Sequence, residues 1–505
     1  MDWFEIAWFA SYITVFLGLS IFGIHRYTMV YLFLKHSKET PEPKGKFEEL
    51  PIITVQLPIF NEMYVVERLI QAVGKIDYPK EKLQIQVLDD STDETQEICK
   101  KEVEKLKEEG HDAVYIHRVD RTGFKAGALE NGMTTAKGEF IFILDADFVP
   151  DPDILMNMVH HFTDESVGMV QARWGHMNRR YSLLTRIQAM FLDGHLIMEQ
   201  TARSRSGRFF NFNGTGGMWR KKAISDSGGW QHDTLTEDLD LSYRAQMKGW
   251  KFVFLKDVVT PAELPVDMVG FKSQQHRWTK GSIQTCKKLL STVWRSDQPI
   301  LNKIEATFHL ASNFTYLLLF LLCILVYPRE SAILQGWVRV VFLDIPIFFT
   351  ASFSVVLFYL CSQRDLYPGK WWKEIIYLPA LLGLGIGMSI NNGKAVLEAV
   401  FNQESDFIRT PKYGIQSNER QTLKKRRYRA LGSLCLILEV ALAFYFTYLV
   451  WYSATIGNYA SMVFLFLFQF GFIYVALGSL NRLLADRFQQ SRGGGDDSNP
   501  NPIPA

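Results

Sequence analysis

Three groups of carboxylates stand in order along the chain, each beside an apolar run. Asp89 and Asp90 close "LQIQVL", Asp145 and Asp147 close "FIFIL", and Glu237, Asp238 and Asp240 open "EDLDLSYRAQM". A carboxylate in such a place can cap a helix or make an Asx turn. Two acidic pairs closing strands of one sheet can instead meet a ligand outside the strand ends. Asp89 or Asp90 could accept hydrogen bonds from a base or ribose. Asp147, with Asp145 beside it, could hold a divalent ion bridging a diphosphate, since Mg²⁺ typically takes one or two carboxylates plus phosphate oxygens. Asp238 has the chemistry of a general base against a hydroxyl. Asp240 suits the positive end of a helix dipole, a structural role.

The elements needed to position these groups can be read from the pattern. "IITVQLPIF", "LQIQVLDD", "AVYIHRV", "EFIFILDAD" and "VGMVQARW" read as strands, with helices expected over 62–76, 95–109 and 125–136. Alternating strands and helices predict a parallel, doubly wound α/β sheet. "PIFNEMY" stands where a dinucleotide fold would carry its glycine-rich loop, so a nucleotide-sugar suits the pattern better.

Lysine plus arginine (55) nearly balance aspartate plus glutamate (53), which argues against a nucleic-acid partner. The five cysteines are scattered and odd in number, fitting reduced thiols. Apolar runs at 7–24, 306–327, 340–361, 431–453 and 459–480 are long enough to cross a bilayer. Within or beside them, Asp344 and Glu439 are membrane carboxylates with either a functional or a helix-end reading. Basic residues follow the first run and flank the segment 375–400 on both sides, so both flanks belong in the cytoplasm. That segment, with Gly383, Gly385 and Gly387, therefore reads as a re-entrant or interfacial pair of helices between five crossings. The expected organisation is an anchor (1–35), a cytoplasmic domain (36–300), membrane helices (301–482) with a loop at 402–416, and a disordered tail (483–505). The expected home is a multi-pass position in the cell inner membrane.

"VLDD", "DAD", "TED" and "QQHRW" occur in order with the spacing of family 2 glycosyltransferases of the cellulose synthase type. The chain resembles the cellulose synthase-like mannan and glucan synthases over residues 50–290. The resemblance implies a cytoplasmic GT-A (Rossmann-like) domain inserted between transmembrane helices. It further implies an inverting hexosyl transfer, with Mg²⁺ or Mn²⁺, from UDP-glucose or GDP-mannose to a growing β-linked polysaccharide that the membrane helices translocate. By the same resemblance Asp238 is the base beside Glu237. Arg277 and Lys125 meet the leaving diphosphate, Gln274 hydrogen-bonds nearby, and Trp278 is the platform for the acceptor. Phe212, Gly214 and Thr215 of "FNGTGG" lie against that acceptor. "DFIRTPK" resembles a gating loop, with Phe407, Thr410 and Lys412 over the site, although Arg409 stands where the family has a smaller residue. Accessory export proteins or an oligomer would be partners. The competing readings are addition of a single sugar to a lipid and, more remotely, a transporter or scaffold whose domain only binds nucleotide. Intact "TED" and "QQHRW" argue against the last.

Overall fold

A computed structural model of the chain describes residues 3–326, 348–403, 410, 412–415 and 434–492. Its centre is a seven-stranded sheet: β1 (Ile53–Ile59), β2 (Leu83–Asp89), β3 (Asp112–His117), β4 (Phe140–Ile143), β5 (Val167–His176), β6 (Gly217–Arg220) and β7 (Lys251–Ala262). The strand order is β3-β2-β1-β4-β6-β5-β7. Strands β1, β2 and β4 are buried along almost their whole length, Thr54, Gln56, Gln84 and Gln86 included, because the sheet is covered on both faces. One core packs Val55, Leu57, Val87 and Phe142 against the helices after β1 and β2. The other packs Ile141, Phe212, Trp219 and Phe254 on the opposite face.

The expected all-parallel sheet is corrected here. β6 runs antiparallel to both β4 and β5, while β5 and β7 are parallel. β6 is four residues long and starts at a glycine, too short for a periodic signal. The helix expected over 62–76 is confined to Val66–Val73.

Among the described residues, three helices are long and apolar enough to cross a membrane: Trp3–His36, Leu434–Thr455 and Ser461–Asn481. Two bent pairs pass the same test together. Ile300–Ala311 and Phe314–Leu325 meet at 55°, and Trp371–Gly387 and Ser389–Val400 at 40°. The second pair is the segment that the charge pattern marks as re-entrant or interfacial. It lies close against the last helix: a Cβ on Gly387 would overlap the Gly471 carbonyl, and one on Gly471 the Gly383 carbonyl. Only small residues allow two helices to approach so closely. Much of the expected span 340–361, Asp344 included, lies outside the described residues. Glu439 is fully buried and paired with Lys272 Nζ at 2.6 Å, so it joins the helix Leu434–Thr455 to the helix Met268–Arg295. The last helix continues to Arg492, past the boundary expected at 482.

Candidate active site

The sheet delivers its acidic pairs to one cavity of about 220 Å³. Asp90 lines it, held by Arg118 through Nε to Oδ1 at 2.8 Å and through the second nitrogen to Oδ2 at 2.6 Å. Its neighbour Asp89 is fully buried, accepting from Ser91 N (2.9 Å) and Tyr115 Oη (2.7 Å). Asp89 therefore braces β2 against β3 and does not reach the cavity, so the expectation that it meets a nucleotide is corrected; of the pair only Asp90 lines the cavity. At the end of β4, Asp145 pairs with Lys125 Nζ at 2.5 Å, and the same ammonium donates to the Gly214 carbonyl at 2.9 Å. Burial alone would lower the Lys125 ammonium, but Asp145 and Glu237 hold it above its ordinary value.

Asp238 reaches the cavity from the first turn of the helix Glu237–Met247. Ser242 of that helix accepts the Phe212 backbone N–H at 2.9 Å, which places the "FNGTGG" loop over the carboxylates. Gly214 has φ +82°, and a Cβ there would stand 3.0 Å from Asp238 Oδ2, so only glycine fits. Burial, and then the adjacent Glu237, push the Asp238 carboxyl up to about 7. Burial also raises Glu237. A carboxylate poised near neutrality is suited to proton abstraction. Asp240, by contrast, is fully buried against Arg244 (2.6 Å) and Lys288 (2.9 Å), a structural ion pair as its helix position suggested.

The helix Met268–Arg295 begins at Asp267, whose side chain accepts from Gly270 N. Its face carries Gln274, Arg277 and Trp278 into the cavity. Thr236 Oγ1, just before Glu237, meets Thr285 Oγ1 at 3.1 Å and fixes the two motifs to each other. Burial lowers the Arg277 guanidinium, and Glu237 and Asp145 oppose that. His276 faces away, 3.0 Å from Glu398 on the helix Ser389–Val400. Thr410 and Lys412 line the opposite wall, and Lys412 Nζ lies 2.5 Å from Asp147 Oδ2. Glu263 holds this segment by accepting from Tyr413 N (2.9 Å) and Ile415 N (3.0 Å). Phe407 lies outside the described residues.

A second cavity of about 340 Å³ runs from the first toward the membrane helices. The residues they share include Trp174, Thr236, Asp238, Gln274 and Trp278. The Trp174 and Trp278 rings stand 6.4 Å apart at 50°, an aromatic floor suited to a pyranose face. Two expected acceptor contacts are corrected. Phe212 is fully buried, edge-on to Trp219 in the core. Thr215 is buried, and its hydroxyl accepts the Asp145 backbone N–H at 2.8 Å. Both hold the loop in place; neither faces a cavity. Trp174, Arg118 and Arg121 join the site without a signal in the sequence pattern, Trp174 lying inside the strand "VGMVQARW". Arg121 lines the first cavity with its guanidinium 3.3 Å from the Phe60 ring centre.

Residues 51–281 match the family described as "Glycosyltransferase like family 2". The chain is 32% identical over 457 residues to glucomannan 4-beta-mannosyltransferase 1 of Oryza sativa subsp. japonica, covering 88% of this chain and 85% of the relative. It is 31% identical over 477 residues to glucomannan 4-beta-mannosyltransferase 7 of Arabidopsis thaliana, covering 90% and 83%. In structure it is similar to the mannosyltransferase PcManGT from Pyrobaculum calidifontis, solved with GDP-Man and Mn²⁺. There the TM-score is 0.53 at 18% identity, over 79% of this chain and 99% of the other. The α/β domain thus has the GT-A fold. The chain belongs to the family 2 glycosyltransferases. Within that family it is a hexosyltransferase of the cellulose synthase-like type.

Proposed function

We propose that the chain is a membrane-embedded, inverting β-mannosyl- or β-glucosyltransferase that extends a polysaccharide and passes it into its own membrane helices. The observation that carries this is the position of Asp238, in the wall shared by a charged cavity and an aromatic-floored one. A nucleotide-diphospho-hexose fits the first, its diphosphate between Lys125 and Arg277 and its nucleoside toward Asp90. The acceptor fits the second, lying on Trp278 and Trp174. Asp238 takes the proton from the acceptor hydroxyl as that oxygen attacks the anomeric carbon from the side opposite the nucleotide, so an α-linked donor yields a β-linked product. Lys125 and Arg277 stabilise the charge that collects on the leaving diphosphate.

The donor set fits a divalent cation. Asp145 and Asp147 present carboxylates to the cavity, and the Lys412 ammonium already stands against Asp147 as a cation would. Mg²⁺ or Mn²⁺ held there would neutralise the diphosphate. The names of the two plant relatives favour mannose as the sugar, and we take GDP-mannose as the first donor to test. The basic loops at 364–373 and 402–429 favour the cytoplasmic side for the site.

Purified protein in detergent or nanodiscs, incubated with GDP-mannose or UDP-glucose and a divalent ion, should release nucleoside diphosphate and build a β-linked chain of many residues. Release without a polymer, or one sugar added to lipid, would overturn processive synthesis. No release from any nucleotide-sugar would overturn the whole reading.

A further inference from the structure

We infer that Glu199, on the wall of the second cavity, is a specificity-determining residue whose free carboxylate oxygen accepts a hydrogen bond from one hydroxyl of the acceptor chain. The inference rests on the functional reading above and names what that cavity selects: a sugar with an unsubstituted O–H at one position.

Glu199 belongs to a segment, Gly194–Gln200, wound as a π-helix between the α-helices Leu183–Asp193 and Thr201–Arg205. Such wide turns are rare and gather at functional sites. Here the turn lies where the Tyr359 ring packs, since a Cβ on Gly194 would stand 2.5 Å from that ring. His195, Glu199 and Tyr359 all line the second cavity, together with His309 and Tyr316. Glu199 uses only one of its oxygens. Oε2 accepts from Arg203 Nη1 at 3.1 Å and lies 3.0 Å from His195 Nδ1. Oε1 has no protein partner among the described residues and is not sealed from solvent.

A carboxylate present only to brace Arg203 would be buried with it. Glu305 fits that description: it accepts from Arg203 Nε at 2.9 Å, and its side chain is 4% accessible. The Glu199 side chain is 30% accessible. Burial would raise its carboxyl, but Arg203 and then His195 hold it well below the usual carboxylate range, so Oε1 is an ionised acceptor at neutral pH. Such an oxygen takes O–H donors strongly and offers no proton in return. Of the groups a hexose chain brings into the cavity, only its hydroxyls donate. Glu199 therefore refuses a fluorine, a methyl ether or an acetyl ester at the position it reads, a distinction that ring stacking on Trp278 does not make.

The test uses purified protein, whichever of GDP-mannose and UDP-glucose it turns over, and a β-linked hexo-oligosaccharide acceptor with its monodeoxy and monodeoxyfluoro analogues. Wild-type transfer to the unmodified acceptor comes first, and its absence overturns the functional reading and this inference with it. At one position of the acceptor the wild type should lose on the order of tenfold to a hundredfold in kcat/KM, as for a hydrogen bond to a charged group. The loss should be equal for the deoxy and deoxyfluoro sugars, since neither carries the O–H. Glu199→Gln must keep its carbonyl toward Arg203, which only donates, so its N–H₂ takes the place of Oε1. That variant should accept the deoxyfluoro sugar at that position and still refuse the deoxy sugar. Glu199→Ala leaves Arg203 paired with Glu305 and should treat all three sugars alike. Should either variant fail to fold, the wild-type series still decides, because a wild type that tolerates fluorine at every position overturns the inference. A wild-type penalty that both variants retain unchanged also overturns it, leaving Glu199 a structural partner of Arg203.

Discussion

The ammonium of Lys412 lies 2.5 Å from Asp147 Oδ2, so a residue from beyond the bent pair of helices closes on the "DAD" motif at the end of β4. Both side chains are largely buried, and the contact satisfies a carboxylate that a divalent ion would otherwise hold. Cation and ammonium compete for it. Asn or Ala at position 412 should therefore tighten Mn²⁺ binding to the nucleotide-free protein by on the order of tenfold, since ~1.4 kcal/mol is a modest value for a desolvated charge pair. Electron paramagnetic resonance of free Mn²⁺ during titration reads this directly. An unchanged affinity would separate Lys412 from the cation site.

Removing the base gives the sharpest kinetic change. Asp238→Asn should leave GDP or UDP binding within about twofold while transfer falls by roughly 10² to 10⁴. Calorimetry and product quantification on the same preparation check the two halves. Near-normal turnover would move the base elsewhere.

The pH profile follows from the environment of Asp238. Burial and Glu237 raise its carboxyl to about 7, and the base works only when ionised. The rate should therefore climb with pH through about 7 and flatten above it. Glu237→Gln removes the second of those causes, so its midpoint should fall to lower pH even where the maximal rate drops. A midpoint that stays put or rises would show that Glu237 does not act on Asp238 through its charge.

Gly214→Ala tests the geometry of the loop. A methyl group 3.0 Å from Asp238 Oδ2, at φ +82°, forces either the carboxylate or the loop to move. Activity should drop at least about tenfold, since small displacements of reacting groups are expensive. The loss of thermal stability should be modest, on the order of 1–2 kcal/mol from strained backbone. Full activity would mean that the acceptor does not approach there.

Topology can be read by labelling. Single cysteines at Lys370, Gln403 and Asn458, all exposed positions, can be placed in a background lacking the five native ones. An impermeant thiol reagent on intact cells should reach only Asn458. Labelling at either Lys370 or Gln403 would break the interfacial reading of the bent pair and the cytoplasmic placement of the site.

Much of the site was legible in the sequence because its chemistry is carried by charged side chains that interrupt apolar strands. Asp90, Asp145, Asp147 and Asp238 mark the ends of elements whose pattern is otherwise continuous. Arg277 and Trp278 stand three and four residues after Gln274 on one helix, the spacings that bring side chains to a common face. What could not be read depends on contacts between segments far apart in the chain. Asp89 and Asp90 are equivalent as letters, and only the arrival of Tyr115 beside one and Arg118 beside the other tells them apart. Phe212 and Thr215 share a motif with Gly214, but the loop bends at the positive-φ Gly214 and Gly216, and only the partners it meets, Trp219 for Phe212 and the Asp145 N–H for Thr215, turn both side chains inward. β6 escaped because four residues carry no usable period.

The wall common to both cavities has a consequence for the order of events. If the chain extends a polymer as proposed, each transfer would leave the newly joined unit on the side where the next donor has to sit. Refilling and forward sliding would then draw on the same volume, and one would have to finish before the other starts. Such an enzyme would advance as a ratchet with a stroke of one hexose, its tempo set by how quickly Trp278 and Trp174 let a ring slip past.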